Sequence, residues 1–151
     1  MVSTVELRKA VLRAGGSDLE AFALGGVAFA LTGGNPSWRS KTGDGRGAWG
    51  VSQKWYPGTP AGVEGQAKQA LGILRRRGLS ARIGYAPDAI TEVAIQWWYP
   101  DGLAPPAFVA AVKRAVAEYC RKKGVARAGF SWLWFLPIGS LAWWLLKGKK
   151  K

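Results

Sequence analysis

The sequence predicts a mainly α-helical domain with one glycine-rich excursion, followed by a single hydrophobic helix at the C-terminal end. Three observations carry that prediction. Serine-x-x-glutamate capping boxes stand at Ser3-Thr4-Val5-Glu6 and Ser17-Asp18-Leu19-Glu20, each ahead of a stretch rich in apolar residues. Prolines at 60, 87 and 105–106 precede three further stretches whose apolar residues recur at helical spacing. The 19 residues from Ala128 to Leu146 carry no charged side chain. As a helix they would span roughly 28 Å, close to the hydrocarbon thickness of a bilayer.

The elements follow in order. The first helix opens at Ser3 and ends at Gly15-Gly16. The second opens at Ser17, runs through Leu31 and stops at Gly33-Gly34. It is apolar nearly all round and short for a membrane span, which fits a central buried helix, with Gly25 and Gly26 letting a neighbour pack closely. From Asn35 to Thr59 the glycines 43, 45, 47 and 50 argue for turns or a small hairpin, with Asp44-Gly45 as a turn. Thr59-Pro60 opens a helix bearing Val63, Ala67, Ala70, Leu71 and Leu74 and stopping at Gly78. Pro87 opens another, with Ile90, Val93, Ala94 and Trp97 on one face, and Tyr99-Pro100-Asp101-Gly102 makes a turn. Pro105-Pro106 opens a long helix to Lys123, with Phe108, Val109, Val112, Val116 and Tyr119 on its apolar side, and Gly124 ends it. The chain thus divides into a helical domain over residues 1–124 and a membrane anchor with a basic tail over 125–151.

Within that last segment, Trp132 and Trp134 sit near one end and Trp143 and Trp144 near the other, as expected of rings at the headgroup level. Arg127 and Lys147 flank the run. A lipid bilayer is therefore an expected partner, reached by a single-pass C-terminal anchor. Pro137 is compatible with that, since membrane helices tolerate proline. A bent helix lying in the interface and a helix buried in a water-soluble core are the competing readings. The N-terminus has no apolar stretch resembling a secretory signal. Arg121, Lys122, Lys123 and Arg127 balance the tail lysines, so the flanking charges set no topology.

The net charge is +13 over 151 residues, of which four charges are Lys147, Lys149, Lys150 and Lys151. All nine acids lie upstream, which leaves the remaining chain at +9. Such a surface suits anionic lipid, nucleic acid or acidic cell-wall polymers. With no histidine, Ser-His-Asp and Cys-His catalysis and histidine zinc sites are excluded. Cys120 is the single cysteine, so no intrachain disulfide forms, and its expected place is a helix face. Neither cofactor nor metal is implied. Chemistry, if any, must run on carboxylates, lysine, tyrosine or a hydroxyl.

Three segments resemble, in order, the lysozyme-like fold of lytic transglycosylases and phage cell-wall hydrolases. Ala28-Phe29-Ala30-Leu31-Thr32-Gly33-Gly34-Asn35-Pro36 looks like the end of that family's catalytic helix, Ala-x-x-Glu-Ser-Gly-Gly-Asn-Pro. Gly45-Arg46-Gly47-Ala48-Trp49-Gly50-Val51-Ser52-Gln53 is similar to the Gly-x-x-Gly-Leu-x-Gln segment that lines the saccharide cleft. Ala94-Ile95-Gln96-Trp97-Trp98-Tyr99-Pro100-Asp101-Gly102 resembles the family's Ala-x-x-Tyr-x-x-Gly helix end. The resemblance implies a peptidoglycan partner held by Asn35, Trp49, Gly50, Gln53, Trp97, Trp98 and Tyr99. Trp38 and Trp55 add to an aromatic load suited to stacking on sugar rings. Each segment also reads structurally: a helix stop, a pair of turn glycines, core and rim tryptophans.

One position departs from the family. The glutamate that protonates the glycosidic oxygen there is matched here by Leu31, which has no proton to give. Losing a general acid costs ~10²–10⁴-fold in rate. Of the other carboxylates, Glu20 is explained by its capping box, Glu64 by a first helical turn, and Glu92 and Asp101 by solvation. Asp44 is the one candidate for a displaced acid. The expectation is a membrane-anchored, lysozyme-like phage virion protein that engages peptidoglycan and is catalytically degenerate. The alternatives are an active lytic transglycosylase or muramidase using Asp44, or a structural virion membrane protein. The last would turn basic clusters such as Arg75-Arg76-Arg77 and Arg121-Lys122-Lys123 toward DNA or anionic lipid, or meet other virion proteins.

Overall fold

The computed structural model describes residues 1–76 and 87–125. Among these residues are five helices, α1 (Thr4–Arg13), α2 (Asp18–Thr32), α3 (Val63–Arg75), α4 (Pro87–Trp98) and α5 (Pro106–Lys123), and one two-stranded antiparallel ribbon, β1 (Gly45–Arg46) and β2 (Val51–Ser52). Gly45 pairs with Ser52 and Arg46 with Val51, and an isolated bridge joins Arg39 to Arg46. The fold is therefore mainly α with a small hairpin, as the sequence predicts. The described residues contain no helix long and apolar enough to cross a membrane. The expected anchor, with Trp132, Trp134, Trp143 and Trp144, lies outside the described residues, as does the helix stop at Gly78.

α2 is the central element, packed against the other four helices. Leu24, Val27 and Ala28 are fully buried among Leu7 and Val11 of α1, Leu74 of α3 and Val112 of α5. Burying each such Val or Leu contributes roughly 1.5–3 kcal/mol. The two glycines of α2 set the spacing of its neighbours. A Cβ on Gly26 would stand 2.8 Å from the Ala115 Cβ and 3.1 Å from the Val112 Cα, and one on Gly25 would stand 3.2 Å from the Arg8 Cγ. α5 crosses α2 at Gly26 because only a missing side chain admits it there.

The N-terminal end of α2 has both halves of its capping box. The Ser17 hydroxyl accepts from the Glu20 amide at 3.2 Å, and the Ser17 amide donates to the Glu20 carboxylate at 2.7 Å. Arg75 of α3 also donates to that carboxylate, from Nε to one oxygen at 2.7 Å and from Nη2 to the other at 2.5 Å, and its Nη2 reaches the Gly15 carbonyl at 3.1 Å. Burial pushes the Glu20 carboxyl upward, but Arg75 and the Ser17 amide outweigh it and hold its pKa below the ordinary value. The first capping box is only half formed. Ser3 caps the Glu6 amide at 3.2 Å, while the Glu6 carboxylate is taken by Lys9 at 3.2 Å.

Two boundaries differ from expectation. α3 starts at Val63 rather than at Pro60, with Gly62 extended as its cap. The Pro60 carbonyl is held outside the helix by the Gln66 side chain at 2.8 Å, and Pro60 packs on the site where a Gly65 Cβ would be. Asp44-Gly45 does not form the turn, since Gly45 lies in β1 beneath the Trp38 ring. The chain reverses at Ser40–Gly43, where the Gly43 amide donates to the Ser40 carbonyl at 2.9 Å. The Tyr99–Gly102 turn forms as expected, closed by a 3.0 Å bond from the Gly102 amide to the Tyr99 carbonyl. α5 ends on Gly124, and Cys120 is buried on its inner face.

Candidate functional site

The C-terminal end of α2 is joined to the hairpin by polar contacts. Gly33 adopts φ 63° and turns the chain out of the helix. The Thr32 hydroxyl donates to the Ala48 carbonyl at 2.5 Å and accepts from the Gly34 amide at 3.1 Å. The hairpin turn Gly47–Gly50 is closed by a 3.0 Å bond from the Gly50 amide to the Gly47 carbonyl. Its position is fixed from below by Gln66, buried at 3% exposure. The Gln66 carbonyl oxygen accepts from the Ala48 amide at 2.8 Å, and its amide nitrogen donates to Pro36 at 3.0 Å and Pro60 at 2.8 Å. Trp49 points into the core, 1% exposed, with its indole N–H on the Leu24 carbonyl at 2.9 Å.

Between the hairpin, the C-terminal end of α3 and the end of α4 lies a groove of about 830 Å³. Aromatic rings dominate it: Trp55, Tyr56, Trp97 and Trp98, with Gly50 and Ile73 between them. The Trp98 indole N–H donates to the Trp49 carbonyl at 2.7 Å, which ties α4 to the hairpin turn. Trp55 is 63% exposed, with the Lys54 ammonium 5.2 Å from its ring centre. The Arg76 guanidinium stands 5.1 Å from the centre of the Tyr56 ring. Leu31 packs behind Gly50, where an added Cβ would lie 3.3 Å from its Cδ1. The position that the resemblance assigns to the proton donor is thus filled by half-buried hydrocarbon against the back of a groove-lining glycine.

The structure brings together Gly50, Trp97 and Trp98 of the expected glycan-contacting set. It does not bring in the other four. Trp49 is a core residue whose ring meets no solvent, and its buried indole N–H finds its acceptor in the Leu24 carbonyl. The Gln53 amide is spent locally, accepting from the Gly58 amide at 3.1 Å and donating to the Val51 carbonyl at 3.2 Å. Asn35 forms an Asx turn with the Ser37 amide at 2.9 Å. Tyr99 packs edge-on to Phe108 with ring centres 4.8 Å apart, and burial pushes its hydroxyl pKa up. In their place stand Trp55, Tyr56 and Arg76. Trp55 was visible as part of the aromatic load, whereas Arg76 reads in sequence as an ordinary cationic helix end.

Asp44 also lines the groove, on hydrogen bonds that suit a carboxylate rather than an acid. It accepts from the Ser52 hydroxyl at 2.7 Å and from the Lys54 amide at 2.9 Å. Ser52 first, and the Lys54 amide next, hold its pKa below the ordinary value. A general acid needs the opposite shift. Of the remaining carboxylates, Asp101 lines the groove and accepts from the Leu103 amide at 3.0 Å, while Glu64 pairs with Arg13 at 2.6 Å. Among the described residues no three histidine, cysteine, aspartate or glutamate side chains gather as a metal site. Searches against family models, curated proteins and solved structures give no match to this chain.

Proposed function

We propose that this chain is a membrane-anchored, lysozyme-like protein of a phage particle that engages peptidoglycan in the aromatic groove and does so without an in-place proton donor. The lysozyme-like reading rests on the three sequence segments and on their spatial arrangement. The end of the first abuts the turn of the second, and Trp98 of the third donates to that turn. The observation that carries the functional reading is the groove itself. Four aromatic side chains line a cleft of about 830 Å³ directly over Gly50, and the residue behind Gly50 is leucine. Aromatic faces stack on the apolar faces of sugar rings, so such a groove offers affinity without any catalytic group. The phage assignment follows from the family resemblance, and the lipid tether from the uncharged run 128–146.

Co-sedimentation of the full chain with purified murein sacculi tests this reading. The chain is expected to pellet with sacculi, and Trp55→Ala to weaken that binding about tenfold, equivalent to 1.4 kcal/mol. Trp55 is largely exposed, so its removal leaves the helical core intact, which circular dichroism checks. A chain that ignores sacculi, or a Trp55→Ala variant that binds as well as the parent, contradicts the proposal.

A further inference from the structure

On a different face of the molecule, α1, α2 and α5 enclose a second groove of about 400 Å³. Its floor is made of small residues, Gly25, Gly26, Ala111 and Ala115, and its flanks carry Arg8, paired with Glu118, together with Arg114 and Arg121. Phe29 borders it and is 59% exposed, an unusual place for a phenyl ring on the outer side of a central helix. The cations are mostly unspent. All nine acidic side chains of the chain are among the described residues, and Arg114 and Arg121 pair with none of them. Arg8 gives both Nη atoms to Glu118, at 3.3 and 2.9 Å, and lies 3.8 Å from the centre of the Phe22 ring. Its Nε–H is buried without an acceptor.

We infer that this α1–α2–α5 groove is a docking surface for anionic phospholipid, on which the domain lies against the bilayer that its C-terminal segment enters. Arg114 and Arg121 meet headgroup phosphates, and Phe29 enters the boundary between headgroups and acyl chains. Two features favour a lipid surface over another polyanion. An exposed phenyl ring beside two guanidiniums that pair with no carboxylate is the composition of an interfacial contact, in which apolar insertion and attraction to anionic lipid add. The groove also runs along α5, and only three residues separate Gly124, at the end of that helix, from the start of the uncharged run at Ala128. An extended chain of that length reaches at most about 14 Å, so an anchored tail holds the C-terminal end of α5 at the membrane surface. The inference rests on the anchor reading for its geometry and is independent of peptidoglycan binding.

The test uses the full chain with Cys120→Ala and Phe29→Cys, labelled at position 29 with a polarity-sensitive fluorophore. It is mixed with neutral phosphatidylcholine vesicles and with vesicles containing phosphatidylglycerol. Sedimentation reports attachment and emission reports docking. The chain is expected to sediment with both, and emission to shift to the blue only with phosphatidylglycerol. The shift should reverse at high salt while the chain stays attached. Arg114→Gln with Arg121→Gln should raise the phosphatidylglycerol content needed for half the shift, weakening docking about 30-fold at two basic residues. A label equally wet on both vesicles, or a shift indifferent to the arginine changes, overturns the inference. Failure to sediment with neutral vesicles contradicts the anchor alone, because a phosphatidylglycerol-dependent shift then still reports the docking surface. A shift produced equally by a soluble polyanion without lipid identifies a nucleic-acid-type site instead and also overturns it.

Discussion

The two ends of α2 handle charge in opposite ways. At the N-terminal end Glu20 is buried and saturated, with its oxygens shared among the Ser17 amide and two donors of Arg75. At the C-terminal end, next to the aromatic groove, the side chain facing the hairpin is Leu31, and the polar work is done by the Thr32 hydroxyl. A buried carboxylate is stable in this fold when a cap and a guanidinium surround it. Where the family resemblance places a reactive carboxylate the helix has hydrocarbon, and the hairpin closes over it. The difference teaches that the ionic groups of α2 serve assembly at its N-terminal end, while the end beside the groove carries none.

The comparison can be broken most forcefully at the charged end. Glu20→Ala removes the capping partner and leaves Arg75 without its carboxylate. It should lower unfolding stability by about 2–3 kcal/mol, measured by chemical denaturation, as expected for losing a helix cap together with a half-buried ion pair. At the opposite end, Gln66→Leu strands the Ala48 amide and the Pro36 and Pro60 carbonyls. A loss of about 2 kcal/mol is expected, together with weaker sacculus binding as the hairpin loosens. Between the ends, Gly26→Ala forces a methyl group against Ala115 and Val112 and should cost about 1–3 kcal/mol by overpacking.

The smallest effect concerns acid. Arg8 first, and Lys122 next, hold the Glu118 pKa down at about 2, and Glu20 is also lowered. A carboxyl depressed in the folded state contributes stability that is fully present above its unfolded value near 4.5 and is lost as pH falls toward about 2. Unfolding stability should therefore drop through that window, and Glu118→Gln should make the drop shallower while lowering stability at neutral pH. A variant whose acid profile overlays the parent's would show that the Arg8 pair carries no such linkage.

Much of the helical framework was legible in the sequence because its signals are local. The Ser17–Glu20 box, the glycines at 33 and 124 and the prolines at the starts of α4 and α5 each act within one helical turn. The groove was less legible because its residues are chosen by contacts across the chain. Nothing near Trp49 announces that its indole N–H will find its acceptor at Leu24, 25 residues earlier. Nothing near Gln66 shows that it will hold the hairpin turn, 18 residues before it. Asp44 looked like a turn residue or a displaced acid, and it is an acceptor for Ser52 and the Lys54 amide, a role set by strand pairing. Conversely, Trp55 was one aromatic among many in sequence, and only the fold leaves it exposed in the groove.

Binding without cleavage is most directly measured in one tube, by incubating the full chain with sacculi and quantifying both the pelleted protein and the soluble sugar released. With Leu31 behind Gly50 and Asp44 held ionised, the chain should pellet while release stays at the level of buffer alone. Release of soluble glycan fragments, abolished by Asp44→Asn, would contradict this and make Asp44 the acid.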